Sequence, residues 1–206
     1  MKPLTRRLQL GAFDQACDGW VNTDVTPHLL VARVPGLARA LHAAGMLDDQ
    51  RWQQHRDGRF RWLRWLDVSK RFRFPDASFE AVYCSHLLEH LHPDVAEHCL
   101  TEIRRVLVPG GVLRIAVPDL DAMVDQYDSA DPDKFLWGIY QGRGTRAKAS
   151  ARHWWHYNAV SLEALLRRLG YADVSRREYR EGRCPDLERI ETRRWSLFME
   201  ALRAGG

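Results

Sequence analysis

Several groups of side chains in this sequence combine residue types and spacing suited to chemistry. Asp24 and Asp67 each stand at the end of an expected strand, where a carboxylate is delivered to its tip. His86-Leu87-Leu88-Glu89-His90 reads His-x-x-Glu-His. On a helix, two histidines four residues apart share a face and can ligate one metal. The match is short and begins where an apolar strand ends, so no metal ligand is assigned. A metal centre on Glu89 and His90 is the lesser reading, with His98 joining only if it faces the same way. Asp119 follows another apolar run and serves either a ligand or the N-terminus of the next helix. His153-Trp154-Trp155-His156-Tyr157-Asn158 is an unusual cluster of imidazoles and aromatic rings.

The elements that must position these groups alternate along the chain. Arg7 to Gly11 and Gly19 to Asp24 read as two short strands. Leu37, Leu41, Ala44 and Leu47 recur at helical spacing between Pro35 and Arg56, and Gly45 breaks that stretch in two. It is long enough for part of it to act as a lid. Phe60 to Leu66 reads as a third strand with a core face that includes Phe60 and Trp62. Ala81 to Cys84 is a fourth. Pro93 and Asp94 open a helix whose buried stripe is Val95, Cys99, Ile103, Val106 and Leu107, and Pro109-Gly110-Gly111 stops it. Val112 to Val117 is a fifth strand, ending at Pro118-Asp119. Gln141-Gly142-Arg143-Gly144 marks a loop. Ser161 is the expected N-cap of a helix carrying Leu162, Leu165, Leu166 and Leu169, closed by Gly170. Tyr171 to Tyr179 and Trp195 to Leu202 supply the last two strands. Strand, helix and strand in this order make a parallel α/β sheet, and ligands of such sheets bind at the carboxyl ends of the strands.

The 206 residues suffice for one domain with a substantial core, at 45% hydrophobic and 28% charged. No apolar stretch approaches the ~20 residues that span a bilayer, and no signal peptide is read after the basic Met1 to Arg7. Cys17, Cys84, Cys99 and Cys184 form no Cys-x-x-Cys pair and read as reduced core thiols, which favours the cytoplasm. The net charge is +4. Arg59, Arg61, Arg64, Lys70, Arg71 and Arg73, with Trp62 and Trp65 among them, suggest an RNA surface, but acidic residues interleave elsewhere and nucleic acid is not expected.

Leu8-Gln9-Leu10-Gly11, Gly19 to Asp24, Asp67-Val68, Ser85 to Leu91 and Glu102 to Gly111, in this order and spacing, resemble the class I S-adenosylmethionine-dependent methyltransferases. The likeness is to the small single-domain kind associated with sugar and glycan modification. The resemblance implies a Rossmann-like, doubly wound, mostly parallel seven-stranded α/β sheet with helices on both faces. It implies one domain over residues 1–206, with a helical insertion at about 35–57 and a substrate-side segment at about 120–160. The cofactor would be S-adenosyl-L-methionine. Gly11, Ala12 and Phe13 would form its first loop, Asp24 would accept from the ribose hydroxyls, Asp67 from the adenine amino group, and Val68 would flank the ring. Ser85 and His86 would lie near the transferring methyl. One departure concerns the first loop: the family's second glycine is replaced by Phe13, a residue that resists positive φ. Either the loop takes another path, with Asp14 reaching the methionine amino group, or cofactor binding is weakened.

The expected activity is methyl transfer to a small-molecule or sugar acceptor, without a membrane partner and compatible with a homodimer. His86 is the first candidate base and His153 the second. His86, Trp155 and Tyr157 are the expected substrate contacts, although the aromatic cluster also suits a plug over the core. The competing expectation is a non-catalytic scaffold that kept the fold and lost the cofactor, and Phe13 is the residue that favours it. A zinc hydrolase is a distant third.

Overall fold

The structure is a computed structural model that describes residues 6–141 and 152–205. The loop expected from Gly142 onward lies outside the described residues, as does Met1 to Thr5 of the basic start. Seven strands form one sheet: β1 (Arg7–Leu10), β2 (Val21–Asp24), β3 (Leu63–Trp65), β4 (Phe79–Ser85), β5 (Leu107–Pro118), β6 (Tyr171–Arg177) and β7 (Ser196–Arg203). Their order is β3-β2-β1-β4-β5-β7-β6. All neighbours are parallel except β7, which runs antiparallel to both β5 and β6. This is the mostly parallel Rossmann-like sheet that the sequence leads one to expect. β1 and β4 are adjacent but far apart in sequence, so the order reverses between them, and ligands of such sheets bind beside that switch point at the carboxyl edge.

Helices occupy most of the connections: α1 (His28–Val31), α2 (Leu37–Ala43), α3 (Asp49–Arg56), α4 (Pro93–Val106), α5 (Leu120–Asp125), α6 (Pro132–Tyr140), α7 (Ala159–Arg168) and α8 (Leu187–Ile190). The link from β1 to β2, residues 11–20, contains no helix. A 3₁₀ turn, Leu88–His90, lies between β4 and α4.

Strand side chains alternate between two faces. Leu8, Leu10, Val82, Cys84, Leu113, Ile115, Leu197 and Met199 point to one, where α4 supplies Ala96, Cys99, Leu100, Ile103 and Val106 and α7 supplies Leu162 and Leu166. Full burial of each such aliphatic side chain contributes about 1.5–3 kcal/mol. The opposite face carries Ala81, Tyr83, Ala116 and Phe198, covered by Trp20, Cys184 and, from the four-residue α8, Leu187 and Ile190. Here the cover is largely irregular chain pinned by a buried ion pair. Arg114, fully buried on β5, donates to Glu191 Oε1 at 2.7 Å and to the backbone carbonyls of Glu178 and Glu181, each at 2.9 Å. Removing one member of such a pair costs about 3–5 kcal/mol, because the other is left buried and unpaired.

Several boundaries differ from expectation for local reasons. The third strand is only Leu63–Trp65; Phe60 is buried in the turn before it, while Trp62 faces solvent. Asn158, rather than Ser161, caps α7. The Asn158 side chain accepts from Ser161 N–H and the Ser161 hydroxyl accepts from Asn158 N–H, a reciprocal capping box. Asp119 caps α5, accepting from Asp121 N–H at 3.1 Å, and also pairs with Arg176. All four cysteines are buried and unpaired.

Candidate active site

The residues singled out by sequence gather along the carboxyl edge of the sheet in two flanks. The first follows β1, β2 and β3. Gly11 leaves β1 with φ +66, and a Cβ there would lie 3.3 Å from Leu87 Cβ and 3.4 Å from the Ser85 carbonyl oxygen. Only glycine lets the loop both turn left-handed and approach β4 this closely. Ala12 is buried and donates its N–H to Thr23 O. Phe13 adopts φ +40, the left-handed geometry that glycine would hold without strain. Its N–H donates to Asp24 Oδ2 at 3.0 Å, while Asp24 Oδ1 accepts from Thr26 N–H at 2.7 Å. Burial raises the Asp24 pKa above the usual carboxylate range, against the hydrogen bonds from the Thr26, Phe13 and Val25 amides.

The Phe13 ring packs edge-on to Phe60 and His28, with the Arg51 guanidinium 4.7 Å above it. Asp14 does not turn inward. It accepts from Gln54 Nε2 at 2.6 Å and lies 3.5 Å from Arg51, both on α3. The helical insertion therefore grips the first loop directly. Asp67 accepts from both the N–H and the hydroxyl of Ser69 and pairs with Lys70 at 3.2 Å. The Ser69 hydroxyl, the Ser69 amide and Lys70 hold its carboxyl below the usual range against a smaller effect of burial. Val68 packs against the main core. A groove along Asp14, Gln15, Ala16, Cys17, Asp18, Arg59 and Arg189 runs beside the first loop and includes neither Asp24 nor Asp67.

The second flank follows β4 and β5. Ser85 ends β4, and His86 turns the chain with φ +48. That conformation swings the His86 ring back between two partners. Nδ1 lies 3.0 Å from Glu89 Oε1, and Nε2 lies 2.8 Å from the Ser196 hydroxyl at the start of β7. A carboxylate only accepts, so Nδ1 carries the proton and Nε2 of the neutral ring presents its lone pair. This is the orientation a carboxylate gives to a general-base histidine. Burial pushes the Glu89 carboxyl up, but the hydrogen bond from His86, the nearby imidazoles and the Glu89 backbone N–H together hold it below the usual range.

The chain returns across this flank as residues 152–157. Trp154 and Trp155 donate their N–H groups to Glu89 O, His90 Nδ1 lies 3.0 Å from Arg152 O, and the His90 and His153 rings meet at 4.8 Å. Burial lowers the His153 pKa to about 4; Glu89 opposes this, and neighbouring imidazoles add to it. Trp155 is 49% exposed, whereas Tyr157 is 3% exposed and sits in the main core, bridging to Asp119. Trp195, 63% exposed, stands edge-on to His86 at 5.0 Å. Sequence reading did not single out Glu89 as the partner of His86, nor Trp195 and Ser196 as its neighbours. Ser196 is 110 residues from His86, and no spacing signal links them.

The residues of the first flank fit an adenosylated cofactor. Gly11 keeps the loop against Ser85 and Leu87, where a Cβ would press on both. An ionised carboxylate offers about four lone-pair sites, and Asp24 spends two of them on backbone N–H groups, leaving capacity for a ribose diol.

Comparison with known proteins finds methyltransferases. The family model described as "Methyltransferase domain" matches residues 42–115. A probable methyltransferase, ltbC, of Aspergillus luteorubrus is 49% identical over 48 residues, 23% of this chain and 17% of that protein. The sterol 24-C-methyltransferase of Yarrowia lipolytica is 40% identical over 73 residues, 34% of this chain and 18% of that protein. The chain thus spans less than a fifth of the length of these curated relatives. Among solved structures, a SAM-dependent methyltransferase from Archaeoglobus fulgidus superposes with a TM-score of 0.57 at 14% identity, covering 96% of this chain and 85% of that one. One from Methanosarcina mazei gives 0.52 at 14% identity, covering 97% and 92%. At such identities the likeness is one of fold. With the family model matched over residues 42–115 and the sheet order, it makes the chain similar to the S-adenosylmethionine-dependent methyltransferases in fold and in that stretch of sequence.

Proposed function

We propose that this domain transfers a methyl group from S-adenosylmethionine to a hydroxyl of a small acceptor, a sugar being the preferred class. The bound cofactor supplies an electrophilic methyl carbon on its sulfonium. The chain's own contribution is alignment and removal of one proton. Gly11 and Ala12 line the cofactor with backbone, Phe13 closes the loop, Asp24 accepts from the ribose, and Asp67 and Val68 flank the adenine. Ser85 lies next to the methionine end. His86 takes the proton of the acceptor hydroxyl on Nε2, the atom that Ser196 now engages, and Glu89 holds the resulting imidazolium from behind. Trp155 and Trp195 offer exposed ring faces for an acceptor with apolar C–H surface. Tyr157 stays behind the wall as packing. His153, its pKa lowered by burial to about 4, is the second candidate base.

The observation that carries this reading is the line from Glu89 through His86 to Ser196 at the end of β4, beside the closely approached Gly11. The four buried thiols suit a reducing compartment such as the cytoplasm. A second reading, a scaffold without turnover, is favoured by one observation: Asp24 already holds the Phe13 amide of its own loop. Incubating the purified chain with methyl-labelled S-adenosylmethionine and a panel of sugars and small alcohols separates the two. Label is expected in at least one acceptor with wild type and not with His86→Ala. Cofactor binding without transfer to any hydroxyl would contradict the proposed acceptor chemistry.

A further inference from the structure

Next to His86 lies a set of groups that proton transfer does not use. One donor atom from each of Glu89, His90 and His153 lies within 4.8 Å of the other two. Among the described residues this is the one group of His, Cys, Asp or Glu donors gathered so closely. Glu89 is 1% exposed; its Oε1 engages His86, but its Oε2 is buried with no hydrogen-bond partner. Leaving a buried carboxylate oxygen unpaired costs free energy that a ligand would recover. His153 Nδ1 is likewise buried without a partner. Six buried side-chain polar atoms of the described residues lack a partner, and three of them, Glu89 Oε2, His153 Nδ1 and His156 Nδ1, belong to this corner.

The orientation of the groups adds to their proximity. His90 donates Nδ1–H to the Arg152 carbonyl, which leaves the Nε2 lone pair free to coordinate. A backbone carbonyl on the far nitrogen is how metal-bound imidazoles are commonly fixed, and a hydrogen bond to the second oxygen does the same for a carboxylate, here from His86. The Trp154 and Trp155 amides on Glu89 O lock the backbone of residues 152–157 against the 3₁₀ turn, holding His153 over Glu89. His86 itself is not among the donors, because both its nitrogens are engaged. His98, exposed on α4, is not in the group either.

We propose that Glu89, His90 and His153 bind a divalent transition-metal ion, with zinc the first candidate. Two imidazoles and one carboxylate suit zinc, whereas magnesium and calcium favour all-oxygen shells. Binding draws the three donors in to about 2.0–2.2 Å from the ion. Three protein ligands leave a coordination position open, the arrangement of catalytic rather than structural zinc. Resting on the proposed methyl transfer, that position takes the acceptor oxygen beside His86; the metal site itself does not depend on that reading.

The test is calorimetric titration of the chelator-stripped chain of residues 1–206 with zinc chloride, with elemental analysis of the product and a thermal melt. One equivalent is expected to bind, with a raised melting temperature. His90→Ala and His153→Ala should each weaken zinc by at least about 10-fold, the loss seen even for outer-shell partners of a metal. His98→Ala should bind as wild type. Circular dichroism establishes that each variant is folded. Should His90→Ala fail to fold, the variant His153→Ala still decides. Absence of zinc binding, or equal binding by wild type and a folded His153→Ala, overturns the site. Magnesium raising the melting temperature as much as zinc overturns the transition-metal assignment. S-adenosylhomocysteine titrated into the same samples keeps the two proposals apart: cofactor without zinc removes only the metal, and zinc without cofactor removes only the methyl transfer.

Discussion

The two flanks of the carboxyl edge treat their polar groups in opposite ways. After β1 to β3, the side chains proposed to serve the cofactor are already employed by the protein: Asp24 holds two amides, Asp14 is tied to α3, and Asp67 closes its own turn. After β4 and β5, buried polar atoms are left over at Glu89, His153 and His156. The first flank is a set of loops stabilised from within, able to accept a ligand through spare lone pairs. The second leaves three buried donor atoms without hydrogen-bond partners. On the proposed function, cofactor affinity rests on loops the protein already braces, and proton transfer on a histidine held at both ring nitrogens beside those leftover atoms.

Substitutions can break or sharpen this contrast. The largest effect is expected on the second flank. His86→Ala should lower turnover by about 10²–10⁴-fold, the usual contribution of a general base, with unchanged affinity for S-adenosylhomocysteine. Equal losses in affinity and turnover would show that His86 belongs to the cofactor flank instead. Asp24→Ala should lower cofactor affinity by about 100-fold. Two hydrogen bonds to a charged group at about 1.5–3 kcal/mol each supply at least that much. It should also lower the melting temperature, since the Phe13 and Thr26 amides lose their acceptor. Phe13→Ala should cost about 1–3 kcal/mol in denaturant unfolding, less than the ~3–5 kcal/mol of a fully buried phenylalanine, while cofactor affinity holds or rises. A large loss of affinity would make the Phe13 ring itself part of the nucleoside site. Trp195→Ala, on an exposed ring, should leave stability within about 0.5 kcal/mol and raise the KM for the acceptor.

The same contrast runs through what the sequence made legible. α4 and α7 were readable because a helix packed on a sheet repeats its apolar residues every three to four positions, as Cys99, Ile103 and Val106 do. β4 and β5 were readable as short apolar runs, and the ends of β2 and β4 located Asp24 and His86. Phe13 was readable as an anomaly, and its positive φ bears that out. Trp62 was misjudged because the third strand begins later than the alternation suggested, so nothing covers that ring. Asn158 took the cap from Ser161 because the reciprocal bond satisfies two amides at once. The irregular cover over Phe198 has no period to read. It is held by Arg114 and Glu191, 77 residues apart, and a charged residue in a strand looks exposed until its partner is known. The Glu89–His86–Ser196 line and the meeting of His90 with His153 are likewise products of the fold, made by parts of the chain that share no local pattern.

The central claim is that Gly11 and Asp24 frame a working nucleoside site despite Phe13. Isothermal calorimetry of the wild-type chain with S-adenosylhomocysteine tests it most directly. The account predicts saturable one-to-one binding that Asp24→Ala abolishes or weakens by about two orders of magnitude. No heat of binding with folded wild-type protein, or binding indifferent to Asp24→Ala, would contradict it.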